Sequence, residues 1–592
     1  MSANDKKLQL RTPGLRLLAA CALAVAVLGL WHGLDVRDGI ARTGNRFLYG
    51  WYGAAFVWGM GLLAASGWLL LIRRQWSLER VFVVCSLALG VLFAAVLPPL
   101  SAPDEVAHYI SAYQVSNRLM GKTAADEDGR VLIRAQDAWV EDLEDVLADD
   151  GSGRMSDRDS AVLGQMMTQY TYGEIRGGGP GGGEAAAAPD GGMVEAVGGG
   201  EAEAAPDGGM AEAVGGGEAA ASPGGGKSAA VSGDGVAVSY QPAVHTTPLA
   251  YAPQAVGITL ARALGLGSIG LLFLGRLFNL LFYTGMGYLT MRRMPFGKEV
   301  VFGVGLLPMT LNLVSSMSYD VMILAMTAYF TAVCLDLAYR AERVRLLDVA
   351  VLALVMAVMG PCKMVYGVIA GLCLLIPVKK FGGWGRWLAA AAAVLGAFAL
   401  AMLVVNSQTV ALYTGIQDRH VIWADEPGYS FAQLIHSPLL VLKMCYSTLV
   451  WQGGELFSGM IGGSLGNMDP VLNTPYIIVL GLAFTLLMLA LRKPGESLKI
   501  SGGQRVWIWV ICLICLGALM FSMLLAWTPV SASFIRGVQG RYLLPLLPIF
   551  ALSLKNDRLV RTDCDDRKLL FGMICMDVYV ILRIFSVVCL RV

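Results

Sequence analysis

Residues 506–527 read VWIWVICLICLGALMFSMLLAW and contain no charged side chain. A helix needs about 20 mostly apolar residues to cross the hydrocarbon layer of a bilayer, and this segment is long enough to do so. Cys512 and Cys515 form a C-x-x-C within it, a spacing found elsewhere in zinc and redox sites. Inside an apolar segment of this length we interpret them as small residues of the helix core. The segment therefore predicts a transmembrane helix.

The composition of the whole chain extends this interpretation beyond one segment. Hydrophobic residues make up 56% of the 592 residues, charged residues make up 15%, and the mean hydropathy is +0.60. A soluble domain usually carries about 25% charged residues. Lys plus Arg (45) nearly balances Asp plus Glu (44), so the net charge does not indicate a nucleic-acid partner. The composition excludes a soluble enzyme and predicts a polytopic membrane protein.

The apolar segments of the chain predict an all-α integral membrane protein with about 13 transmembrane helices. The predicted spans are residues 15–32, 52–72, 81–97, 270–291, 300–315, 321–337, 346–359, 364–378, 387–405, 475–491, 506–527, 542–554 and 569–590.

The basic residues between these spans predict their orientation. Seven clusters fall on one side if the spans alternate, namely Lys6/Lys7, Arg73/Arg74/Arg80, Arg292/Arg293/Lys298, Arg340/Arg343/Arg345, Lys379/Lys380/Arg386, Arg492/Lys493/Lys499 and Arg558/Arg561/Arg567/Lys568. Because Lys and Arg accumulate on the cytoplasmic side, we predict a cytoplasmic N-terminus and a large outer loop over 98–250. The apolar segment 439–451 contains Lys443, and counting it as a span would break this agreement. We therefore interpret it as a re-entrant or interfacial segment.

The same map divides the chain into six regions. Residues 1–98 hold the first three spans, 99–176 form an outer loop with an acidic motif, and 177–238 form an insert. Residues 239–405 hold spans four to nine, 406–474 form an outer loop with the re-entrant segment, and 475–592 hold the last spans. The insert contains two near-identical copies of one sequence, at 184–200 and 201–217. Its Gly, Ala, Pro and Glu cannot bury enough apolar surface to fold, so we predict that it is disordered.

The densest polar motif follows the third span and reads LPPLSAPDEVAHY, residues 97–109. Pro103 can begin a helix with Asp104 and Glu105 in its first turn, where the helix dipole favours anions. Asp104 and His108 are four residues apart and so share one face. A carboxylate with an imidazole at this spacing suits a divalent metal, or a base beside a substrate hydroxyl. The alternative is an acidic helix cap with a surface histidine.

Other polar residues lie at predicted outer ends of spans. Tyr319 and Asp320 separate two apolar runs, where an ionisable residue is costly unless it faces a cavity. Lys363 lies at another outer turn, and Arg536 and Arg541 flank the start of a late span. Arginine matches phosphate with two parallel donors, and snorkelling to the interface is the alternative for both arginines.

Five motifs resemble one known family. They are the acidic motif above, TPLAYAPQAVGI (247–258), LGRLFNLL (274–281), LLPMTLNLVSSMSYD (306–320) and GVQGRYLLPLLP (537–548). They resemble the bacterial membrane family called domain of unknown function 2142, which in turn resembles the glycosyltransferases of the GT-C fold. The resemblance implies a GT-C-like helix bundle with a large, partly disordered first outer loop, in the plasma membrane of a bacterium.

The resemblance also implies a reaction: inverting transfer of a sugar from a polyprenyl-phosphate carrier to a cell-envelope polysaccharide, lipid or protein. GT-C enzymes carry an acidic pair in the first outer loop, which would be Asp104 and Glu105, with Asp104 as the base. Either Glu105 or His108 would orient the acceptor or a divalent cation, Mg²⁺ or Mn²⁺, and Asp104 would complete the metal ligands.

Further roles follow from the same resemblance. Arg541, Arg536 and Lys363 would stabilise the lipid phosphate as it leaves. The substrate cavity would be lined by His108, Tyr109, Tyr319 and Asp320.

Two other functions compete with this one. A flippase or transporter of lipid-linked oligosaccharides predicts broken helices in two repeated halves, and the sequence has no such internal symmetry. A polymerase or ligase of envelope polysaccharide predicts an arginine-rich late loop, whereas the strongest motif here is early and acidic. Polar residues at one predicted membrane face favour surface chemistry over transport.

Overall fold

The computed structural model describes residues 3–43, 46–97, 99–141, 231–232, 235–241, 243–244, 246–406, 420–467, 469–494, 496, 500–556 and 562–591. Helices dominate these ranges. They are α1 (Ala3–Thr43), α2 (Phe47–Gly67), α3 (Leu78–Val96), α4 (Glu105–Leu119), α5 (Ala252–Ala263), α6 (Ser268–Arg293), α7 (Lys298–Gly305), α8 (Pro308–Val314), α9 (Asp320–Tyr339), α10 (Leu346–Cys362), α11 (Trp384–Val405), α12 (Phe431–His436), α13 (Pro438–Ile461), α14 (Tyr476–Ala490), α15 (Gly502–Trp527), α16 (Leu547–Ser553) and α17 (Asp566–Arg591).

Eight of the described helical segments are long and apolar enough to cross a membrane, which agrees with a multipass membrane protein. They are Gly14–Ala41, Phe47–Ile72, Leu78–Val96, Ser268–Arg293, Asp320–Tyr339, Trp384–Val405, Gly502–Trp527 and Asp566–Cys589. All eight contribute apolar side chains to one large core, and a second, smaller core lies between α12, α13 and the end of α15.

The predicted number of 13 spans is not confirmed, because five predicted spans are shorter or broken. Residues 300–315 divide into α7 and α8, since Pro308 has no N–H to continue the first helix. The predicted span 542–554 is broken near its start. The 3₁₀ turn Gly540–Leu543 overlaps its first two residues, and the α-helix α16 begins only at Leu547. The apolar helices Leu346–Cys362, Met364–Leu375 and Tyr476–Ala490 are shorter than the eight spanning candidates.

The segment predicted to be re-entrant or interfacial, 439–451, lies inside the continuous helix α13. Lys443 does not interrupt this helix, which is not among the eight spanning candidates.

A small antiparallel sheet lies beside α4. Strand β1 (Leu132–Arg134) pairs with β3 (Val236–Val238), which pairs in turn with β2 (Val231–Ser232). The predicted disordered insert therefore extends too far, because its last residues form strands. The alternating Val236, Ala237 and Val238 bury the central side chain. The two repeat copies lie outside the described residues.

Two short strand pairs lie elsewhere, β4 (His420–Val421) with β5 (Glu426–Pro427) and β6 (Ser464–Leu465) with β7 (Asp469–Asn473). The helices α5 and α6 pack closely, since a Cβ on Gly257 would overlap the Leu274 carbonyl oxygen. Small residues permit this close approach of two helix backbones. The close approach brings the motif 247–258, which contains Gln254, against the motif 274–281, which contains Asn279.

Candidate functional site

Four charged side chains from distant segments meet where α4 and α9 begin. Arg541 Nη2 lies 3.2 Å from Asp104 Oδ2, and Arg541 Nη1 lies 3.3 Å from Asp320 Oδ2. Lys363 Nζ lies 4.0 Å from Asp320 Oδ1. None of the four side chains is more than 10% exposed. Buried charges are costly unless they are paired, and these four, the ion cluster from here on, balance one another.

The backbone at Asp104 is unusual. Its φ of 55° and ψ of 23° lie in the left-handed region, which aspartate tolerates better than most residues but which is uncommon outside glycine. The Asp104 carbonyl accepts the first bond of α4, from the His108 amide at 3.0 Å. Backbone strain of this kind accumulates at functional sites. The left-handed backbone therefore singles out Asp104 independently of its ion pair.

Arg541 lies in a 3₁₀ turn that packs on α13. A Cβ on Gly540 would overlap the Leu456 carbonyl oxygen, so only glycine permits this approach. The guanidinium is engaged on every side, because Nε donates to Gln539 Oε1 while its two other nitrogens meet the carboxylates. The Tyr542 ring centroid lies 3.6 Å from Lys363 Nζ, a cation–π contact that holds the second cation.

Glu105 occupies a different environment from its neighbour Asp104. Its Oε1 lies 3.0 Å from Arg276 Nε and accepts the Met317 amide at 3.0 Å, while Oε2 accepts the Ala102 amide at 3.0 Å. Arg276 Nη1 also donates to the Leu97 carbonyl at 2.8 Å. Both charged side chains are at most 1% exposed. This ion pair joins α4, α6 and the turn before α9.

Three buried polar side chains hold the turn Ser316–Met317–Ser318, which precedes Asp320. Glu105 accepts its central amide. Gln254 Nε2 donates to the Met317 and Ser318 carbonyls, each at 3.2 Å. Asn279 Nδ2 donates to the Ser316 and Ser318 carbonyls at 2.8 and 3.1 Å. The position of Asp320 is therefore fixed by residues from α4, α5 and α6.

His108 lies next to the ion cluster within a group of aromatic rings. Its Nδ1 is 2.8 Å from the Tyr251 hydroxyl, and its ring centroid is 5.3 Å from that of Tyr319. Tyr319 directly precedes Asp320 in the chain. The predicted residues Asp104, His108, Tyr319, Asp320, Lys363 and Arg541 are thus brought together.

Besides Glu105, two predicted residues have neighbours outside the ion cluster. The Tyr109 ring packs on Tyr113, with centroids 5.7 Å apart, and burial raises the pKa of the Tyr109 phenol above its ordinary value, as do Asp137 and Tyr113 nearby. The described contacts of Arg536 are local: its guanidinium lies 4.3 Å from the Phe534 ring centroid, and its amide donates to Thr528.

The three predicted metal ligands do not converge. Glu105 is engaged by Arg276 and two amides, His108 Nδ1 meets Tyr251, and Asp104 meets Arg541. Over the ranges that the structure describes, no group of three or more His, Cys, Asp or Glu side chains could hold a metal ion. The Mg²⁺ or Mn²⁺ site at Asp104, Glu105 and His108 stays a prediction; in the structure each of the three side chains has a different partner.

Residues 234–550, more than half of the chain, match the model of the family described as predicted membrane protein DUF2142. The chain belongs to this family. No curated protein and no solved structure matches it.

The DUF2142 range contains Asp320, Lys363 and Arg541, three members of the ion cluster, whereas Asp104 lies before it. It also contains Gln254 and Asn279, which hold the turn, and Arg276, the partner of Glu105. Sequence reasoning gave these three no role, although each lies in a motif quoted for the resemblance. The available signal was a polar side chain within an apolar helix, which is costly unless it has a partner.

Proposed function

We propose that this DUF2142 protein is a membrane glycosyltransferase that moves a sugar from a polyprenyl-phosphate carrier to a hydroxyl acceptor of the cell envelope. The observation that carries the proposal is the ion cluster, in which a carboxylate lies 3.2 Å from a buried guanidinium beside a second cation. A hydroxyl that attacks an anomeric carbon needs a base, and a departing phosphate needs positive charge. Asp104 supplies the base, and Arg541 and Lys363 supply the positive charge.

The charges of the proposed reaction balance. The acceptor oxygen attacks the anomeric carbon, the bond from that carbon to the phosphate oxygen breaks with inversion, and Asp104 takes the acceptor proton. Asp104 loses its negative charge as the leaving phosphate gains one, so the total charge of the buried site does not change. This matters because a charge imbalance is expensive in a medium of low dielectric constant.

The remaining residues have positioning roles in this proposal. Asp320 pairs with both Arg541 and Lys363 and so positions the two cations before substrate binds. His108 and Tyr319 form the wall beside Asp104 and Asp320, where an acceptor would be oriented.

The proposal puts the ion cluster on the extracytoplasmic face of a bacterial plasma membrane, with the N-terminus in the cytoplasm. Support comes from the distribution of charge along α9. The helix begins at Asp320 and ends at Tyr339, next to Arg340, and its 20 residues extend about 30 Å. The ion cluster and the basic segment after α9 therefore lie at opposite ends of this helix, an arrangement that the positive-inside rule favours.

A transfer assay tests the proposal. The full chain in liposomes is given a panel of radiolabelled polyprenyl-phosphate sugars, and transfer is measured for the wild type, Asp104→Asn and Asp128→Asn. Asp128 is the control because it is an exposed carboxylate, 75% accessible, in the segment after α4. We expect Asp104→Asn, checked by circular dichroism to be folded at the assay temperature, to lose transfer by about a hundredfold or more.

Two outcomes would contradict the proposal. Transfer by Asp104→Asn at the wild-type rate would remove Asp104 as the base. Lipid scrambling across the bilayer without sugar transfer would favour a flippase.

A further inference from the structure

Three basic segments are joined at the end of the bundle opposite the ion cluster. The segment after α6 meets the segment after α9 where Arg340 Nη2 donates to the Arg293 carbonyl at 3.1 Å. The segment after α9 meets the one before α11 where the Val344 amide donates to the Lys380 carbonyl at 2.9 Å. These contacts make one continuous surface from three parts of the chain.

Some cations of this surface are neutralised within the protein. Arg293 lies 2.7 Å from Asp336 and 2.6 Å from Asp348, and Arg340 lies 2.6 Å from Asp336. Lys380 Nζ donates to two carbonyls at the end of α9 at 2.8 and 2.9 Å. These groups hold the segments together and offer little charge to an external partner.

The other cations of the surface are exposed and have no ion pair in the part of the chain that the structure describes. We call them the basic face: Arg292, Arg343, Arg345, Lys379 and Arg386. Glu342, also exposed, is the acidic residue closest in sequence to Arg343. The basic face thus carries a net positive charge that the protein leaves uncompensated.

Large apolar side chains border the basic face. Leu346 and Leu347, the first residues of α10, are 86% and 73% exposed, and Trp384, the first residue of α11, is 67% exposed. The exposed Leu388 and Leu395 continue the apolar surface along α11. A helix that passes from water through the headgroups into hydrocarbon typically carries cations first, then an aromatic ring and then aliphatic side chains. The same order is found here.

We propose that the basic face binds anionic phospholipids through their headgroup phosphates. The bordering Leu346, Leu347 and Trp384 set its cations at the depth of the headgroups. A phosphate there supplies the missing negative charge, and each Lys or Arg near such a surface strengthens binding. This inference needs only that the bundle spans a bilayer, and it is independent of sugar transfer.

The test compares lipid binding by the full chain purified in neutral detergent. Native mass spectrometry measures the affinity for phosphatidylglycerol and for phosphatidylcholine with the same acyl chains. The variant Lys379→Gln/Arg386→Gln is compared with Arg118→Gln/Lys122→Gln, which removes the same two charges from exposed positions in and after α4. The changed side chains are exposed in both variants, and circular dichroism checks that both fold.

We expect the wild type to prefer phosphatidylglycerol, the basic-face variant to bind it about thirtyfold more weakly, and the control variant to match the wild type. Added salt should weaken wild-type binding, whereas inorganic phosphate at equal ionic strength should not compete beyond that effect. Equal affinity for the two lipids, equal loss in both variants, or displacement of the lipid by inorganic phosphate would overturn the proposal.

Discussion

Arg541 is the residue on which the site depends most, because its guanidinium joins side chains that are far apart in sequence. Asp104 lies 437 residues before it, and Asp320 approaches from α9. A planar guanidinium can meet two carboxylates and Gln539 at once, which a lysine ammonium cannot do with the same geometry. A lysine at position 541 could therefore not replace the arginine in pairing with both carboxylates.

Replacing Arg541 with Gln should destabilise the fold by about 3–5 kcal/mol, since two buried carboxylates lose their main partner. The double variant Arg541→Gln/Asp104→Asn should recover part of this loss, because it also removes one unpaired charge. Thermal unfolding in detergent measures both variants, with the exposed Arg118→Gln as control. A double variant less stable than Arg541→Gln alone would show that Asp104 is not the partner on which Arg541 depends.

At the scale of elements, the pair Glu105–Arg276 joins α4 to α6 and to the turn before α9. The sequence presents Asp104 and Glu105 as equivalent neighbours, but the helix geometry separates them. Asp104 precedes α4 in a left-handed conformation and meets Arg541, while Glu105 begins the helix and meets Arg276. Glu105 is thus expected to hold the elements that position Asp320, rather than to act on the substrate.

A double-mutant cycle tests this role. Glu105→Gln leaves Arg276 buried without a counter-charge, so it should lose about 3 kcal/mol or more in unfolding free energy. Glu105→Gln/Arg276→Met should be more stable than the sum of the single changes predicts, by about 0.5–3 kcal/mol. Well below its unfolding temperature, Glu105→Gln should keep sugar transfer within tenfold of the wild type. Full stability with abolished transfer would instead make Glu105 a catalytic residue.

At the scale of the whole molecule, the sequence predicted the class of fold and most members of the site. Apolar segments identified a multipass helical protein. The acidic motif after Pro103 selected Asp104, the cost of an ionisable residue between apolar runs selected Asp320, and positions at the outer ends of predicted spans selected Lys363 and Arg541. The number of spans was not predictable from hydropathy, because Pro308 divides one apolar run while others form short helices. The ion pairs were not predictable either, since they depend on contacts between segments hundreds of residues apart.

The hydrogen bonds of the buried side-chain amides were not predicted from the sequence either. Gln254 and Asn279 lie in helices whose apolar neighbours dominate the pattern, so their bonds to the Ser316–Ser318 turn became visible only with the backbone in place. Periodicity describes which face of a helix is buried, and it does not state which carbonyl a buried amide meets.

The most direct test of the central claim is a cryo-electron microscopy structure of the full chain in lipid nanodiscs with a polyprenyl phosphonate sugar that cannot be cleaved. We predict phosphonate oxygens within hydrogen-bonding distance of Arg541 or Lys363 and the anomeric carbon facing Asp104. A ligand whose phosphonate lies away from the ion cluster, with the pairs of Arg541 to Asp104 and Asp320 unchanged, would contradict the account.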